Sequence, residues 1–244
     1  INPDLIVIHG DRIETLACAL VGSMNHILTA HVEGGELSGT IDDTIRHTVT
    51  KLSHIHFVGS DKAVSIVRSM GEKKESIYKI GSPDMDILMN KNISSMSSVR
   101  KRYKIGFNNY AILLWHPVTS ELKTLRKDTE KLVKFINKTK INFFVFYPNN
   151  DPGAKIILDI YKKFLNKRKA RIFQNIRFEF FISLLKNAKF IIGNSSSAIY
   201  AAPILKTPAA NIGTRQRKRL SSKSIKNLKI KDLKKFKIER FLKN

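Results

Sequence analysis

Two kinds of hydrophobic pattern alternate along the chain: short uninterrupted apolar runs, and longer stretches in which apolar residues recur at helical spacing. Residues 4–8 (DLIVI) form a run that ends in His9-Gly10-Asp11, which predicts a buried strand with polar residues at its carboxyl end. Residues 14–25 have helical spacing, 27–31 return as a strand, and 33–40 (EGGELSGT) form a glycine-rich loop. Thr40-Ile41-Asp42-Asp43 opens a helix running to about Leu52, with acids in its first turn where the helix dipole favours them. A strand at 54–58, a helix at 60–70 ended by Gly71, and a strand at 77–80 follow. Strands that are apolar throughout and alternate with helices predict a parallel sheet covered on both faces.

Residues 91–109 are rich in Ser and Lys and lack a period, so they read as a linker. A second series then runs strand 110–115, helix 121–137, strand 142–147, helix 152–165, helix 178–187 and strand 190–192. Gly193-Asn194-Ser195-Ser196-Ser197 opens another helix, and 209–212 is the last strand expected. Ile225, Leu228, Leu233, Phe236, Ile238, Phe241 and Leu242 give the tail a helix-compatible spacing. The organisation expected is therefore an N-terminal α/β domain at 1–92, a linker at 93–109, a C-terminal α/β domain at 110–220 and a basic helical tail at 221–244. No internal repeat is visible.

Composition changes this picture in one respect. The 244 residues are 42% hydrophobic, enough to bury a core, but 44 Lys and Arg against 20 Asp and Glu leave a net charge of +24. Such an excess raises the question of nucleic acid. The excess is uneven: from Thr214 to the end there are 13 Lys or Arg and 2 Asp or Glu, and other basic clusters lie at 100–104 and 162–171. Most cations are Lys, which with Ile and Asn shares A/T-rich codons. No aromatic–basic alternation of the single-strand-binding kind is evident, so an anionic small ligand is favoured over nucleic acid. The single cysteine, Cys18, excludes an internal disulfide and a multi-cysteine zinc site, and fits a reducing, cytoplasmic setting. No apolar run is long enough to span a membrane, and no secretory leader opens the chain, which begins at Ile1.

Ligands in parallel α/β folds sit beyond the carboxyl ends of the strands, and the polar signals of this chain fall there. Asp11, Glu33 and Asp42 follow successive strands or open the next helix, where crowding could fit them for general acid–base work. The bland readings are a turn for Asp11, a helix cap for Asp42 and Asp43, and an i,i+4 ion pair between Asp42 and Arg46. Gly193-Asn194-Ser195-Ser196 supplies small hydroxyl residues and backbone N–H groups suited to a phosphate, or else a plain serine cap. A Walker loop, a dinucleotide GxGxxG turn, a Gly-x-Ser-x-Gly elbow and an HExxH motif are all absent. His9, His31, His54 and His56 lie in or at the ends of strands without a metal-ligand spacing, whereas His116 before Pro117 is placed to meet a phosphate or act as an acid.

Taken together and in order, these segments resemble one family. His9-Gly10-Asp11-Arg12, His31-Val32-Glu33-Gly34-Gly35, Ser38 to Asp43 with Arg46, Gly81-Ser82-Pro83-Asp84, His116-Pro117, Tyr147 to Asp151, Gly193 to Ser196 and Asn211 to Gln216 follow the order of UDP-N-acetylglucosamine 2-epimerases, notably the hydrolysing branch used for sialic-acid-type sugars. The resemblance covers residues 1 to about 220. It implies a glycosyltransferase-B-like fold of two Rossmann-like parallel-sheet domains, the first lacking its leading strands because the family begins roughly 80–90 residues earlier. It also implies a homo-oligomer that takes a UDP-linked N-acetylhexosamine, with no metal or redox cofactor and no nucleic-acid or membrane partner. Asp11, Glu33 and Asp42 would be its acid and base groups, Arg46 would stabilise charge, and His116 would meet the diphosphate or sugar. Ser195 and Ser196 would hold phosphate, Asn149 and Arg215 would line the nucleotide, and Arg12 would face the cleft. The family's ribose-gripping Glu is replaced by Ala201, which cannot accept a hydrogen bond. An inactive nucleotide-sugar-binding remnant is the alternative; a non-hydrolysing epimerase and a nucleic-acid binder rank below it.

Overall fold

The computed structural model describes residues 3–89, 93–217 and 224–243. It divides into two compact units, Ile1–Asp86 and Ile87–Asn244.

The first unit is a four-stranded sheet in the order β1-β2-β3-β4, formed by Leu5–His9, Leu28–Val32, Ile55–Val58 and Ile77–Lys79. All pairs are parallel. The crossovers are α1 (Ile13–Met24), α2 (Ile41–Leu52) and α3 (Asp61–Ser69), and α4 (Pro83–Met89) follows β4. Thr40 and Ser60 cap α2 and α3 with their side chains, accepting from Asp42 N and Ala63 N. Hydroxyl caps of this kind satisfy N–H groups left free at a helix start; α1, entered at Arg12, has no such side-chain cap. The buried side of the unit is modest: Ile8, Ala19 and Val49 pack in one cluster, and Val58, Ala63 and Val67 in another. β1 is an edge strand, and Leu5, Val7, Ile13, Leu20, Val21, Met24 and Leu28 are exposed on it, on α1 and on the paired strand.

The second unit is a six-stranded sheet, again parallel throughout, in the order β10-β9-β8-β5-β6-β7. Its strands are Tyr110–Leu114, Asn142–Phe146, Ala170–Phe173, Ile191–Gly193, Ala209–Ile212 and Ile225–Leu228, β5 to β10 in chain order. The chain starts at the centre, grows to one edge, then returns to the centre and grows to the other. This Rossmann order places a crevice between β5 and β8, where the direction of winding reverses. Ala111, Ile112, Leu113, Phe143, Phe144 and Val145 are fully buried, because α6 (Leu122–Lys138), α7 (Ala154–Phe164) and α8 (Phe178–Lys186) cover the sheet.

Five expectations change. β1, expected as a buried strand, is an edge strand with Leu5 and Val7 exposed and only Ile8 buried. The segment expected as a linker holds α5 (Met96–Tyr103), capped by Ser95, with Val99 fully buried and Tyr103 edge-on against Phe173 and Phe180. Its apolar stripe is only two or three side chains wide and is lost among Ser, Lys and Arg. β7 went unforeseen because it is a short strand inside a basic cluster, where Arg171 stacks over Phe173. The helix expected after Gly193 is a 3₁₀ turn, Ser196–Ala198, and then a single turn, α9 (Ala201–Ile204). The tail is not a helix: β10 extends the sheet past β9, a 3₁₀ turn spans Ile230–Lys234, and α10 is Ile238–Phe241. Leu233 and Ile238 are buried in the core of the second unit, so the apolar spacing reported packing rather than helix. Residues 221–223 and 244 of that tail lie outside the described residues.

At the crevice, Gly193 has φ 141° and a Cβ added there would stand 1.8 Å from the Leu114 carbonyl oxygen. Gly193→Ala is therefore expected to lower unfolding free energy by roughly 3–5 kcal/mol in urea titrations, at the severe end for a point change. Gly106→Ala, where a Cβ meets open space, should stay within about 1 kcal/mol of the parent.

Candidate functional site

The first unit gathers its polar side chains at the carboxyl ends of β1, β2 and β4. At their centre is Arg46 on α2, with 3% of its side chain exposed. Its guanidinium donates to Asp11, which follows β1, to Asp43 Oδ1 at 3.0 Å and to the Glu36 carbonyl at 2.6 Å. The partner on its own helix is thus Asp43, three residues back. Asp43 also accepts from the Ser38 N–H and hydroxyl and from the Gly39 N–H, all at 2.7 Å. Burial alone would raise the Asp43 carboxyl; these hydrogen bonds hold it below its ordinary value. Asp42 is buried, and Arg12 stands 4.0 Å from it.

Glu33 leaves β2 with φ 68°, a left-handed backbone that a non-glycine residue adopts at some cost. Its N–H is fixed to the Phe57 carbonyl at 2.8 Å. Its carboxylate lies 3.2 Å from His9 Nε2 through one oxygen and accepts from Ser82 Oγ at 2.7 Å through the other. The hydrogen bond from His9 holds Glu33 below the usual carboxylate range, and the same bond raises His9 above its ordinary imidazole value. Asp84, opening α4, is pushed up by burial and then by the Glu33 charge. Gly35 brings the loop against α3: a Cβ there would stand 2.5 Å from the Ala63 carbonyl oxygen.

His31, buried under this cluster, is structural. Its Nε2 lies 3.0 Å from the Gly10 carbonyl, which can only accept, so Nε2 carries the proton and Nδ1 accepts from Thr50 at 3.0 Å. Burial lowers it to about 4.

In the second unit the crevice between β5 and β8 is closed by a reciprocal pair. The His116 N–H donates to Asn194 Oδ1 at 2.7 Å, and Asn194 Nδ2 donates to the His116 carbonyl at 2.8 Å. The Asn149 N–H donates to His116 Nδ1 at 3.1 Å, so the imidazole proton sits on Nε2. Asn149 Oδ1 is buried without a hydrogen-bond partner among the described residues. Gln216 Nε2 and Arg215 Nη1 reach the Asn194 carbonyl at 2.8 and 3.5 Å. Ser195 is buried and its hydroxyl accepts from Ser197 N at 3.3 Å, while Ser196 is half-buried. Beside them lies a cavity of about 540 Å³ lined by Trp115, His116, Glu121, Asn211, Thr214 and Gln216 among others. Among the described residues there is no group of three or more His, Cys, Asp or Glu side chains placed to hold a metal, and no helix long and apolar enough to cross a membrane.

Within the first unit, then, Asp11, Arg12, Glu33, Asp42 and Arg46 come together; within the second, His116, Asn149, Ser195, Ser196 and Arg215 do. The expected helix N-terminus behind the serines is absent, which leaves backbone N–H groups of a short turn in its place. The choice of site residues passed over His9, Ser82, Asp43 and Asp84 in the first unit, and Asn194 and Gln216 in the second. For five of them the signal was position: His9 ends β1, Asn194 follows β8, and Asp43, Ser82 and Asp84 stand at the start of the next helix or just before it.

Comparison with known proteins decides the family. Residues 1–232 match the family model described as UDP-N-acetylglucosamine 2-epimerase. The chain belongs to that family. It is similar to the UDP-N-acetylglucosamine 2-epimerase of Neisseria meningitidis serogroup B, with 44% identity over 225 residues, 92% of this chain and 59% of the relative. It is 36% identical over 238 residues to the GDP/UDP-N,N'-diacetylbacillosamine 2-epimerase (hydrolyzing) of Campylobacter jejuni, covering 96% of this chain and 62% of that one. Its fold matches the crystal structure of the Methanocaldococcus jannaschii UDP-GlcNAc 2-epimerase in complex with UDP-GlcNAc and UDP, at TM-score 0.76 and 23% identity, over 99% of this chain and 70% of that one. The two Rossmann-like parallel sheets are thus those of the glycosyltransferase-B-like epimerase fold. The chain spans about three-fifths of the length of the curated relatives it matches.

Two stability predictions follow from the geometry of the first unit. Arg46→Met removes a buried charge from two part-buried carboxylates and is expected to cost about 3–5 kcal/mol by thermal or urea unfolding, with Arg46→Lys rescuing only part because Lys cannot fork to two carboxylates. His31 is neutral when folded and charges more readily when unfolded. Its contribution is therefore present above pH 6.5 and lost as pH falls toward 4, by about 3 kcal/mol in all. Urea titrations between pH 7 and pH 4 should show that slope reduced in His31→Gln.

Proposed function

We propose that the protein carrying this chain is a hydrolysing UDP-N-acetylglucosamine 2-epimerase, acting on a UDP-linked N-acetylhexosamine or a close diacetamido analogue. The observation that carries this reading is the convergence of Asp11, Glu33, Asp42 and Arg46 at the carboxyl ends of one parallel sheet. The relatives named as hydrolysing enzymes support it.

The chemistry requires a base to take the C2 proton while the C1–O bond to UDP breaks, leaving a 2-acetamidoglucal. It then requires water to add across C1 and C2, the hydroxyl to C1 and a proton to C2, giving an N-acetylmannosamine-type sugar. Asp11, Glu33 and Asp42 are the carboxyl groups offered for these transfers. Arg46 donates to two carboxylates, Asp43 and Asp11, and so fixes where Asp11 points. His116, held as the Nε2–H tautomer by the Asn149 N–H, is a donor for a diphosphate or sugar oxygen. Ser195, Ser196, Asn149 and Arg215 are the candidates for the nucleotide, and Arg12, beside Asp42, is a further cation of the acid cluster. The residues ask for no metal or redox group, since the reaction moves protons and a diphosphate only.

A second reading, a nucleotide-sugar binder without turnover, draws on Ala201. It is buried beside the phosphate turn and offers the ribose no acceptor. UDP release from UDP-N-acetylglucosamine separates the two. The hydrolysing reading expects turnover in the parent chain and a fall of about 10²–10⁴-fold in Asp11→Asn. Equal release by both proteins would remove Asp11 from the chemistry. UDP binding by calorimetry without any release would favour the binder.

A further inference from the structure

Glu33 is the acid of the site whose backbone is most constrained, and its surroundings define its role more closely than the family does. Its φ of 68° turns the side chain off the axis of β2. Each carboxylate oxygen then meets a single donor from a different part of the first unit. His9 Nε2, on the last residue of β1, lies 3.2 Å from Oε2. Ser82 Oγ, in the passage from β4 to α4, lies 2.7 Å from Oε1. One donor ends β1, directly beside β2, and the other follows β4, which lies beyond β3 on the other side of β2. A carboxylate gripped at both oxygens in this way cannot rotate about its last bond without losing a charge-assisted hydrogen bond.

We propose that His9 and Ser82 are positioning residues for Glu33: the two donors fix its carboxylate, one oxygen each, in the orientation from which it acts on substrate. The assignment rests on the reading of Glu33 as one of the acid–base groups. Neither His9 nor Ser82 is given a proton-transfer step of its own. The groups that face the pair are known from every side. Asp84 on α4, Asp11 beyond β1 and Glu33 itself all favour the charged form of His9, while burial opposes it. Arg46 on α2 acts on Glu33 from the far side. His31 beneath is held neutral.

The test has two arms. In the first, the His9 imidazole is titrated by its Cε1–H resonance in the full chain, assigned by its loss in His9→Gln. In the parent, His9 is expected to titrate above 6.5; in Glu33→Gln its midpoint should fall toward 6.5. An unchanged midpoint would overturn the pair, and this arm needs no turnover. In the second arm, UDP release is measured across pH. His9→Ala and Ser82→Ala should each lower kcat by about 10–100-fold with little change in KM, the loss expected from a misplaced catalytic group. His9→Gln and Ser82→Thr, which keep a donor, should recover most of it. Parent-like kcat and pH profile in both alanine variants would overturn the positioning role. Absence of turnover in the parent would instead count against the proposed function, with the His9 titration still deciding the pair.

Discussion

The first unit depends on one buried guanidinium. Arg46 joins the turn after β1 through Asp11, the glycine-rich loop through the Glu36 carbonyl, and its own helix through Asp43. Buried charge is stabilising only when paired and hydrogen-bonded, and removing one member leaves the rest uncompensated. The three segments are therefore locked to one another, and the acids of the site stand where the lock puts them. Asp43, tied by Ser38 and Gly39, anchors one side of the guanidinium, and Asp11 takes the other. The hydrophobic clusters around Ile8 and Val58 are small, so this polar lock carries an unusual share of the local order.

The second unit solves the same problem with neutral groups. Its core is large and aromatic, with Phe143, Phe144 and Phe190 fully buried, and it needs no charge to hold it. Polar order is densest at the crevice, where His116 and Asn194 each satisfy the other's backbone or side chain and the Asn149 N–H selects the imidazole tautomer. A sheet carrying acids and a cation, and a sheet carrying a tautomer-fixed histidine and backbone donors, are two complementary chemistries. In the proposed reaction the first would serve proton transfer at carbon and the second an oxyanion leaving group.

The alternation of apolar runs and amphipathic stretches was enough to read two parallel α/β units, because parallel strands are apolar runs, a pattern that β1 keeps although Leu5 and Val7 are exposed. Placing Asp11, Glu33 and His116 at strand ends followed directly from that. What the pattern hid was short or disguised structure. α5 shows its one fully buried side chain, Val99, among Ser and basic residues. β7 lies within a basic cluster whose Arg171 serves as cover for Phe173. β10 and the turns after it share a spacing that a helix would also satisfy, since Leu233 and Ile238 reach the core from a chain that changes direction between them. In the site, His9 and Ser82 were missed as functional because their role is set by Glu33's left-handed backbone, and nothing in local sequence announces a positive φ at a glutamate.

If the acid cluster of the first unit moves a proton at C2 of a nucleotide-linked sugar, as proposed, solvent hydrogen must enter at that carbon. Incubating the protein with UDP-N-acetylglucosamine in D₂O and examining the released sugar by NMR tests this. The expected product is free N-acetylmannosamine carrying one deuterium at C2, delivered when water adds to the glucal. A released sugar that keeps its original C2 hydrogen, with the configuration at C2 unchanged, would contradict it.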